Sequence, residues 1–184
     1  MIAPSNQYIA VLDTCVLAPM PLCDTLLRLA EDPAFYIPKW SDDILRELQS
    51  TLQRMGYAPV QAGRRLTAME TAFEDANVTG YERLVASMTN DPKDRHVLAA
   101  AVRCGADAIV TENVKHFPME STKLYDLEVL TPDDFLVDRF HLNQDLLAEK
   151  VAAQAVARGL SLADLLARLS KWAPRAVRLL AAMG

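Results

Sequence analysis

Short apolar runs and helical stripes alternate along the first 130 residues of the chain. The run Tyr8–Asp13 is almost continuously apolar, as expected of a strand that is covered on both faces of a parallel sheet. Similar runs at residues 35–38, 107–111 and 127–131 predict three more strands, the first of them ended by Pro38. Strands that alternate with helices predict an α/β fold, with a central parallel sheet of four to five strands between layers of helices.

Helical patterns fill the segments between these runs, and capping residues mark several helix ends. Ser41 has the position of an N-cap, and Asp91 is followed by proline, which favours the first position of a helix. Gly105 follows the last apolar position of one stripe and predicts the end of that helix. The predicted helices cover residues 22–32, 41–55, 59–74, 81–88 and 91–104.

The pattern changes after Thr131, because only helical patterns follow to the end of the chain. Ser161 and Asp164 form a predicted capping pair in front of a leucine stripe. Residues 158–184 hold five basic residues against one acid, a local charge of +4 in a chain with a formal net charge of -5. We therefore expect an α/β domain at residues 1–137 and a helical C-terminal extension at residues 138–184, packed on or near it.

The composition is that of an ordinary globular chain of 184 residues, with 51% hydrophobic and 23% charged residues. The net negative charge argues against binding nucleic acid by bulk charge, although carboxylates of a metal site would also lower the charge. The three cysteines lack a C-x-x-C spacing, so neither a zinc site nor a disulfide framework is expected. The N-terminus lacks the features of a signal peptide, and no apolar run reaches membrane-spanning length. We expect a cytoplasmic protein without membrane association.

Three carboxylates occupy positions that can meet where the strands end. Asp13 directly follows the first strand, at the edge where open parallel sheets bind ligands. Glu47 lies at the edge of the apolar stripe of its helix, and Asp94 lies within the inward stripe of a later helix, where the helix dipole stabilises negative charge. Each also has a purely structural interpretation. Asp13 and Asp94 can be turn or capping residues, and a solvated helix face is favoured for Glu47 taken alone.

Asn113 adds an amide oxygen at the end of the third predicted strand, although Asn is also a common turn residue. Three carboxylates and an amide from separate segments form the kind of oxygen ligand set that Mg²⁺ takes. His96 and His116 are candidates for a general base or a metal ligand, with a surface position favoured for His116. Candidate supporting residues flank these positions, namely Thr14, Asp91 and Thr111.

Two enzyme classes place an Asp at the end of the first strand. Phosphatases of the haloacid-dehalogenase type need a second Asp two positions later, where this chain has Cys15. The order of the motifs instead resembles the PIN-domain ribonucleases. That family has an Asp closing the first strand (VLDT), a Glu on an early helix (LRELQ), an Asp at the start of a later helix (DRHVLAAA), and a Thr-x-Asp before a Phe, here TENVKHF.

The resemblance covers about residues 8–136. The segment 78–118 is especially similar to a bacterial branch described as toxin ribonucleases of toxin–antitoxin pairs, or VapC-like. The resemblance implies a three-layer α/β/α fold and a Mg²⁺- or Mn²⁺-dependent endoribonuclease that acts on RNA. It also implies a small antitoxin partner and, by analogy, a homodimer. The basic helical tail is similar to one in the same branch, and its cations can face RNA, a partner or solvent.

By this resemblance Asp13, Glu47 and Asp94 are the metal ligands, and with Asn113 they form the catalytic set. Asn113 departs from the family pattern, because an amide is neutral and a weaker ligand than a carboxylate. One or two metal ions are therefore both compatible with the sequence, with Asp91 or Glu112 as candidates to compensate. The alternative is a PIN-like RNA-binding or regulatory module with weak or no catalysis, which the amide at position 113 favours.

Overall fold

Parallel strands form the centre of the fold. The structure is a computed structural model that describes residues 8–183. Residues 1–7, on which the expectation about a signal peptide rests, lie outside the described residues, as does Gly184. Within the described part, the strands are β1 (Ile9–Leu12), β2 (Ile37–Ser41), β3 (Asn77–Val78), β4 (Ala108–Val110) and β5 (Glu128–Leu130), in the order β3-β2-β1-β4-β5.

Helices make up most of the remaining described chain, and the predicted α/β/α fold with its C-terminal helices is confirmed. None of the helices between residues 8 and 183 is both long enough and apolar enough to cross a membrane. The helices are α1 (Thr14–Leu17), α2 (Met20–Ala30), α3 (Asp42–Arg54), α4 (Pro59–Ala72), α5 (Glu82–Val85), α6 (Arg95–Cys104), α7 (Met119–Thr122), α8 (Pro132–Leu142), α9 (Gln144–Ala157), α10 (Leu162–Leu169) and α11 (Pro174–Ala181).

The strand order places a topological switch point between β1 and β4. The chain runs outward from β1 through β2 to β3, and then returns to build β4 and β5 on the other side of β1. Leu12 pairs with Val110 at the ends of these two neighbouring strands. The next residues, Asp13 and Thr111, therefore lie side by side at the carboxyl edge, where open α/β sheets bind ligands.

The boundaries of β2 and α6 differ from the prediction for identifiable reasons. β2 continues past Pro38 to Ser41. Backbone N–H groups alternate between the two sides of a strand. In β2 the N–H of Ile37 points to β1 and that of Trp40 points towards β3, so the nitrogen of Pro38 is on the β3 side. β3 pairs only with Trp40 and Ser41, so proline at position 38 costs no hydrogen bond between strands. α6 begins at Arg95 instead of Asp91, because the chain between them forms a turn in which Asp94 N–H donates to the Asp91 carbonyl at 2.9 Å.

The C-terminal helices pack on the rest of the molecule. α9 and α10 contact α2, and α11 packs on α8. The buried Asp133 carboxylate accepts hydrogen bonds from the backbone N–H groups of Arg175 and Ala176, at 2.9 and 3.0 Å, and so caps the start of α11. α8 runs without a break through residues 137 and 138. The division into a domain at residues 1–137 and an extension at 138–184 stays a prediction.

Candidate metal centre

A cleft of about 1060 Å³ lies beside the carboxyl edge of the sheet. Its walls come from α3, from the turn before α6 and from the loop that follows β4. Three of the four residues predicted as catalytic line it directly, namely Glu47, Asp94 and Asn113. The cleft therefore brings together side chains that are far apart in the sequence.

Asp13 is the fourth predicted residue, and it is buried at the end of β1. Its Oδ2 accepts hydrogen bonds from Thr111 Oγ1 at 2.6 Å and Cys15 Sγ at 3.2 Å, and its Oδ1 accepts one from Thr14 N at 2.6 Å. Burial raises the pKa of Asp13, the negative charge of Asp94 adds to this effect, and the three donors oppose it. A cation beside Asp13 would favour its ionised form.

Thr14 connects Asp13 to Glu47. The hydroxyl of Thr14 donates to Glu47 Oε2 at 3.3 Å and to the Ile44 carbonyl at 3.2 Å. Glu47 Oε2 also lies 3.5 Å from His96 Nε2. Burial alone would lower the pKa of His96, but its contact with Glu47 and the negative charges of Glu47, Asp43 and Asp13 raise the pKa overall. Glu47 is exposed to the cleft, as the edge position in its helix allows.

Asp94 and His116 are in close side-chain contact in the cleft, with 2.6 Å between His116 Nδ1 and Asp94 Oδ2. Asp94 is the N-cap residue of α6, yet its side chain caps no helical N–H group. Asp91 joins this pair. One ligand atom from each of Asp91, Asp94 and His116 lies within 4.8 Å of the other two. Two carboxylates and an imidazole fit a divalent cation by their donor chemistry.

The structure thus places every predicted site residue at or beside one edge, but it groups them differently from the expected set. Among the described residues, the close ligand group is Asp91, Asp94 and His116, and neither Asp13 nor Glu47 belongs to it. The metal-ligand roles of Asp13, Glu47 and Asp94 stay predictions. The prediction that His116 lies at the surface is wrong, since its ring lines the cleft and contacts Asp94.

Sequence reasoning missed one contributor, Cys15. This residue donates to Asp13 and lies 3.3 Å from Thr111 Oγ1, and burial together with the charge of Asp13 raises the pKa of its thiol to about 12. The available signal was its position two residues after Asp13, where the short helix α1 turns it back towards the strand end. Asp91 was expected as a supporting residue and as a candidate to compensate for Asn113, and the structure places it beside Asp94.

Comparison with known proteins agrees with this architecture. Residues 10–115, more than half of the chain, match the family described as PIN domain. Over 79 residues the chain is 48% identical to "Putative ribonuclease VapC50" of Mycobacterium tuberculosis (strain ATCC 25618 / H37Rv). That alignment covers 43% of this chain and 47% of the relative, so the chain spans less than half the relative's length. No solved structure matches the chain. With its parallel sheet, its carboxylate-lined cleft and the match over residues 10–115, the chain belongs to the PIN-domain family.

Proposed function

We propose that this protein is a metal-dependent endoribonuclease that hydrolyses phosphodiester bonds in RNA, and that it is the toxin of a type II toxin–antitoxin pair. The observation that carries the proposal is the cleft at the sheet edge, which gathers Glu47 and Asp94 beside the buried Asp13. The ribonuclease name of the 48% identical relative supports RNA as the substrate.

The proposed roles follow from the contacts of each side chain. Asp13, Glu47 and Asp94 would hold Mg²⁺ or Mn²⁺ with carboxylate oxygens, the ligands that these cations prefer. Such an ion would supply positive charge to polarise the phosphodiester and to activate water. Thr111 and Thr14 fix the Asp13 carboxylate through the hydrogen bonds at its two oxygens. Such outer partners orient ligands and affect metal affinity.

Cleavage of RNA by the purified protein tests this function. Wild-type protein should cut RNA with Mg²⁺ or Mn²⁺ and lose this activity in EDTA. Asp13→Asn and Asp94→Asn should each lower the rate by more than about a hundredfold, because even outer partners of metal ligands account for about ten- to hundredfold effects. Asp138→Asn, an exposed carboxylate on α8, is the matched control and should cleave like wild type. Full activity of both site variants would contradict the proposal.

We also propose a small antitoxin partner that inserts a basic side chain into the cleft. The support is the group of carboxylates at the sheet edge, Asp13, Glu47 and Asp94, which favours a cation of any source. Co-expression of the protein encoded by a short upstream gene should yield a complex without ribonuclease activity. A complex that forms and still cleaves RNA at the wild-type rate would contradict this mode of inhibition. A homodimer remains a separate prediction, to be measured by sedimentation.

Asn113 favours one alternative, an RNA-binding or regulatory module with little catalysis. The residue lines the cleft with a neutral amide at the position where the family has a carboxylate. Calorimetry separates the two functions. A protein that binds RNA but shows no heat of Mg²⁺ or Mn²⁺ binding, and no cleavage, is the binding module. Metal binding that is lost in Asp94→Asn supports the nuclease.

A further inference from the structure

We propose that Asp91, Asp94 and His116 form a cation site with a nitrogen ligand, and that this site prefers a transition ion such as Mn²⁺ over Mg²⁺. The inference deepens the proposed nuclease function and rests on it for the need for a cation. It assigns two ligands, Asp91 and His116, that lie outside the expected set of Asp13, Glu47 and Asp94.

The separations between the three ligand atoms are close to those around one shared ion. Metal–ligand distances of about 2.1 Å place neighbouring ligands of an octahedral shell about 3 Å apart and opposite ligands about 4.2 Å apart. His116 Nδ1 and Asp94 Oδ2 are separated by 2.6 Å, and all three ligand atoms fall within 4.8 Å of one another. Small side-chain rotations are enough to move a neighbouring pair of ligands from hydrogen-bond spacing to coordination spacing.

The backbone holds the two segments of this site together. Asp91 N–H donates to the His116 carbonyl at 3.1 Å, so the turn before α6 is tied to the loop that follows β4. His116 N–H in turn donates to the Asn113 carbonyl at 2.8 Å and closes a short 3₁₀ turn, Val114–His116. These bonds fix the positions of the ligands before any ion arrives, which reduces the ordering cost of binding.

The side chains are also available for a ligand. Asp94 makes no cap bond to α6, although an Asp at that position usually does. Asp91 uses Oδ1 for the backbone N–H of Lys93 at 3.0 Å, which leaves Oδ2 for other contacts. Each of these residues is partly exposed in the cleft region, so a hydrated ion can reach them.

The proposed site compensates for the carboxylate that is missing at Asn113. A neutral amide at position 113 removes one negative charge from the expected ligand set. Asp91 restores a carboxylate next to Asp94, whereas Glu112, the other candidate, is exposed and lies outside the close ligand group. Asp94 belongs to both the expected set and the new one, so it is the residue through which the two ligand sets meet.

The nitrogen ligand determines the preference for the ion. Mg²⁺ favours oxygen ligands and keeps several of its waters. Imidazole suits transition ions such as Fe²⁺, Ni²⁺ and Zn²⁺, and the affinity of a nitrogen and oxygen site rises from Mn²⁺ along that series. Mn²⁺ is the first member of the series, and it accepts an imidazole nitrogen more readily than Mg²⁺ does. With His116 as a nitrogen ligand, the site therefore favours Mn²⁺ and the heavier transition ions over Mg²⁺.

Mn²⁺ titration of the full chain, followed by calorimetry and pulsed electron paramagnetic resonance, tests the site without RNA. Wild-type protein should show a ¹⁴N coupling to bound Mn²⁺. His116→Gln should remove that coupling and weaken Mn²⁺ binding at least about tenfold, with a smaller effect on Mg²⁺. His116→Asp should restore binding through oxygen and reduce the ratio of Mn²⁺ to Mg²⁺ affinity. Asp91→Asn should weaken Mn²⁺ binding while keeping the coupling.

The chain has three histidines, which provides the controls. His141→Gln, on the exposed end of α8, should leave both readouts at wild-type values. His96→Gln should keep the coupling, and loss of the coupling in this variant instead of His116→Gln would overturn the assignment. Absence of ¹⁴N coupling in wild type would overturn it without any variant. If the site behaves as expected but no metal supports RNA cleavage, the nuclease proposal fails and the cation site stands.

Discussion

Burial of the Asp13 carboxylate makes its charge and orientation depend on neighbouring donors. Thr111 Oγ1 supplies the hydrogen bond at 2.6 Å to Oδ2, and the same hydroxyl accepts the N–H of Asn113 at 3.0 Å. Burial raises the pKa of Asp13, and the hydrogen bond from Thr111 is the largest of the effects that lower it. At the scale of one residue, Thr111 thus links the end of β1 to the loop that carries Asn113.

Replacement of Thr111 by valine should weaken binding of the divalent ion about tenfold, because the Asp13 carboxylate loses a donor that fixes its rotamer and favours its ionised form. Calorimetry with Mn²⁺ measures the change. Thr25→Val is the matched control, since Thr25 is equally buried and donates to Gln154 Oε1 at 2.7 Å, away from the cleft. This control should lower the free energy of unfolding by about 1 kcal/mol and leave metal affinity unchanged. Equal metal affinity in Thr111→Val and wild type would contradict the role.

The sequence predicts such residues only where regular elements determine their position. Asp13 and Thr111 directly follow strands whose ends coincide, so the strand pattern is enough to bring them together. His116 contacts Asp94 across 22 residues, and this contact depends on how the loop after β4 folds back through its own hydrogen bonds. The path of this loop leaves no periodic pattern of apolar residues in the sequence. The sequence therefore predicted a surface position for His116.

At the scale of elements, polar contacts between the first turn of α8 and the first turn of α11 hold these two helices together. Thr131 caps α8 by accepting the N–H of Asp134 at 3.1 Å, and its hydroxyl donates back to Asp134 Oδ2 at 2.5 Å. Arg175 on α11 pairs with Asp134 and, at 2.9 Å, with Asp133. The capping residue Ser161 was predicted from local sequence, but the partner of Asp133 is 42 residues away and only the packed structure reveals it.

Acid titration should reveal this contact. The Thr131 hydroxyl, followed by Arg175, holds the pKa of Asp134 below its ordinary value against an opposing effect of burial. Since the folded pKa lies below the unfolded value of about 3.9, the contact stabilises the fold above that pH and the effect is lost as pH falls through the folded pKa. The difference in free energy of unfolding between wild type and Asp134→Asn should be constant above about pH 5 and shrink below it. Urea unfolding at a series of pH values measures it, and a difference that grows in acid would contradict the assignment.

Element boundaries show a similar division between local and distant causes. The helix stop at Gly105 is confirmed, because its left-handed φ of 63° favours glycine. β3 has only two residues and was not predicted, since a run of that length carries no period. Its existence depends on pairing with Trp40 and Ser41 of β2. The longest apolar stripes are therefore the most predictable parts of this fold, and a two-residue strand such as β3 is the least predictable.

At the scale of the whole molecule, charge is distributed unevenly and partly used for structure. The C-terminal excess of positive charge includes Arg158, which pairs with Asp24 at 2.6 Å, and Arg175, which pairs with Asp133. These cations hold the tail against the domain. Another set of cations lines the cleft itself, namely Arg46, which pairs with Asp43, and Arg54 and Lys93. Because Arg54 and Lys93 share the cleft with the carboxylates, they are better placed than the paired cations of the tail to bind the phosphates of an RNA in the cleft.

Salt dependence of RNA binding distinguishes the cleft from the tail. In EDTA, which removes the metal that the proposed cleavage needs, Lys93→Gln and Arg54→Gln should each reduce the slope of log affinity against log salt by about 0.7 for single-stranded RNA, because each variant should remove one phosphate contact. Fluorescence anisotropy at several salt concentrations measures the slope. Lys171→Gln is the matched control: its ammonium lies 5.0 Å from the centre of the Trp172 ring on the tail and does not line the cleft, so its slope should equal that of wild type. A reduced slope for Lys171→Gln with unchanged slopes for the cleft variants would place the RNA on the basic tail instead.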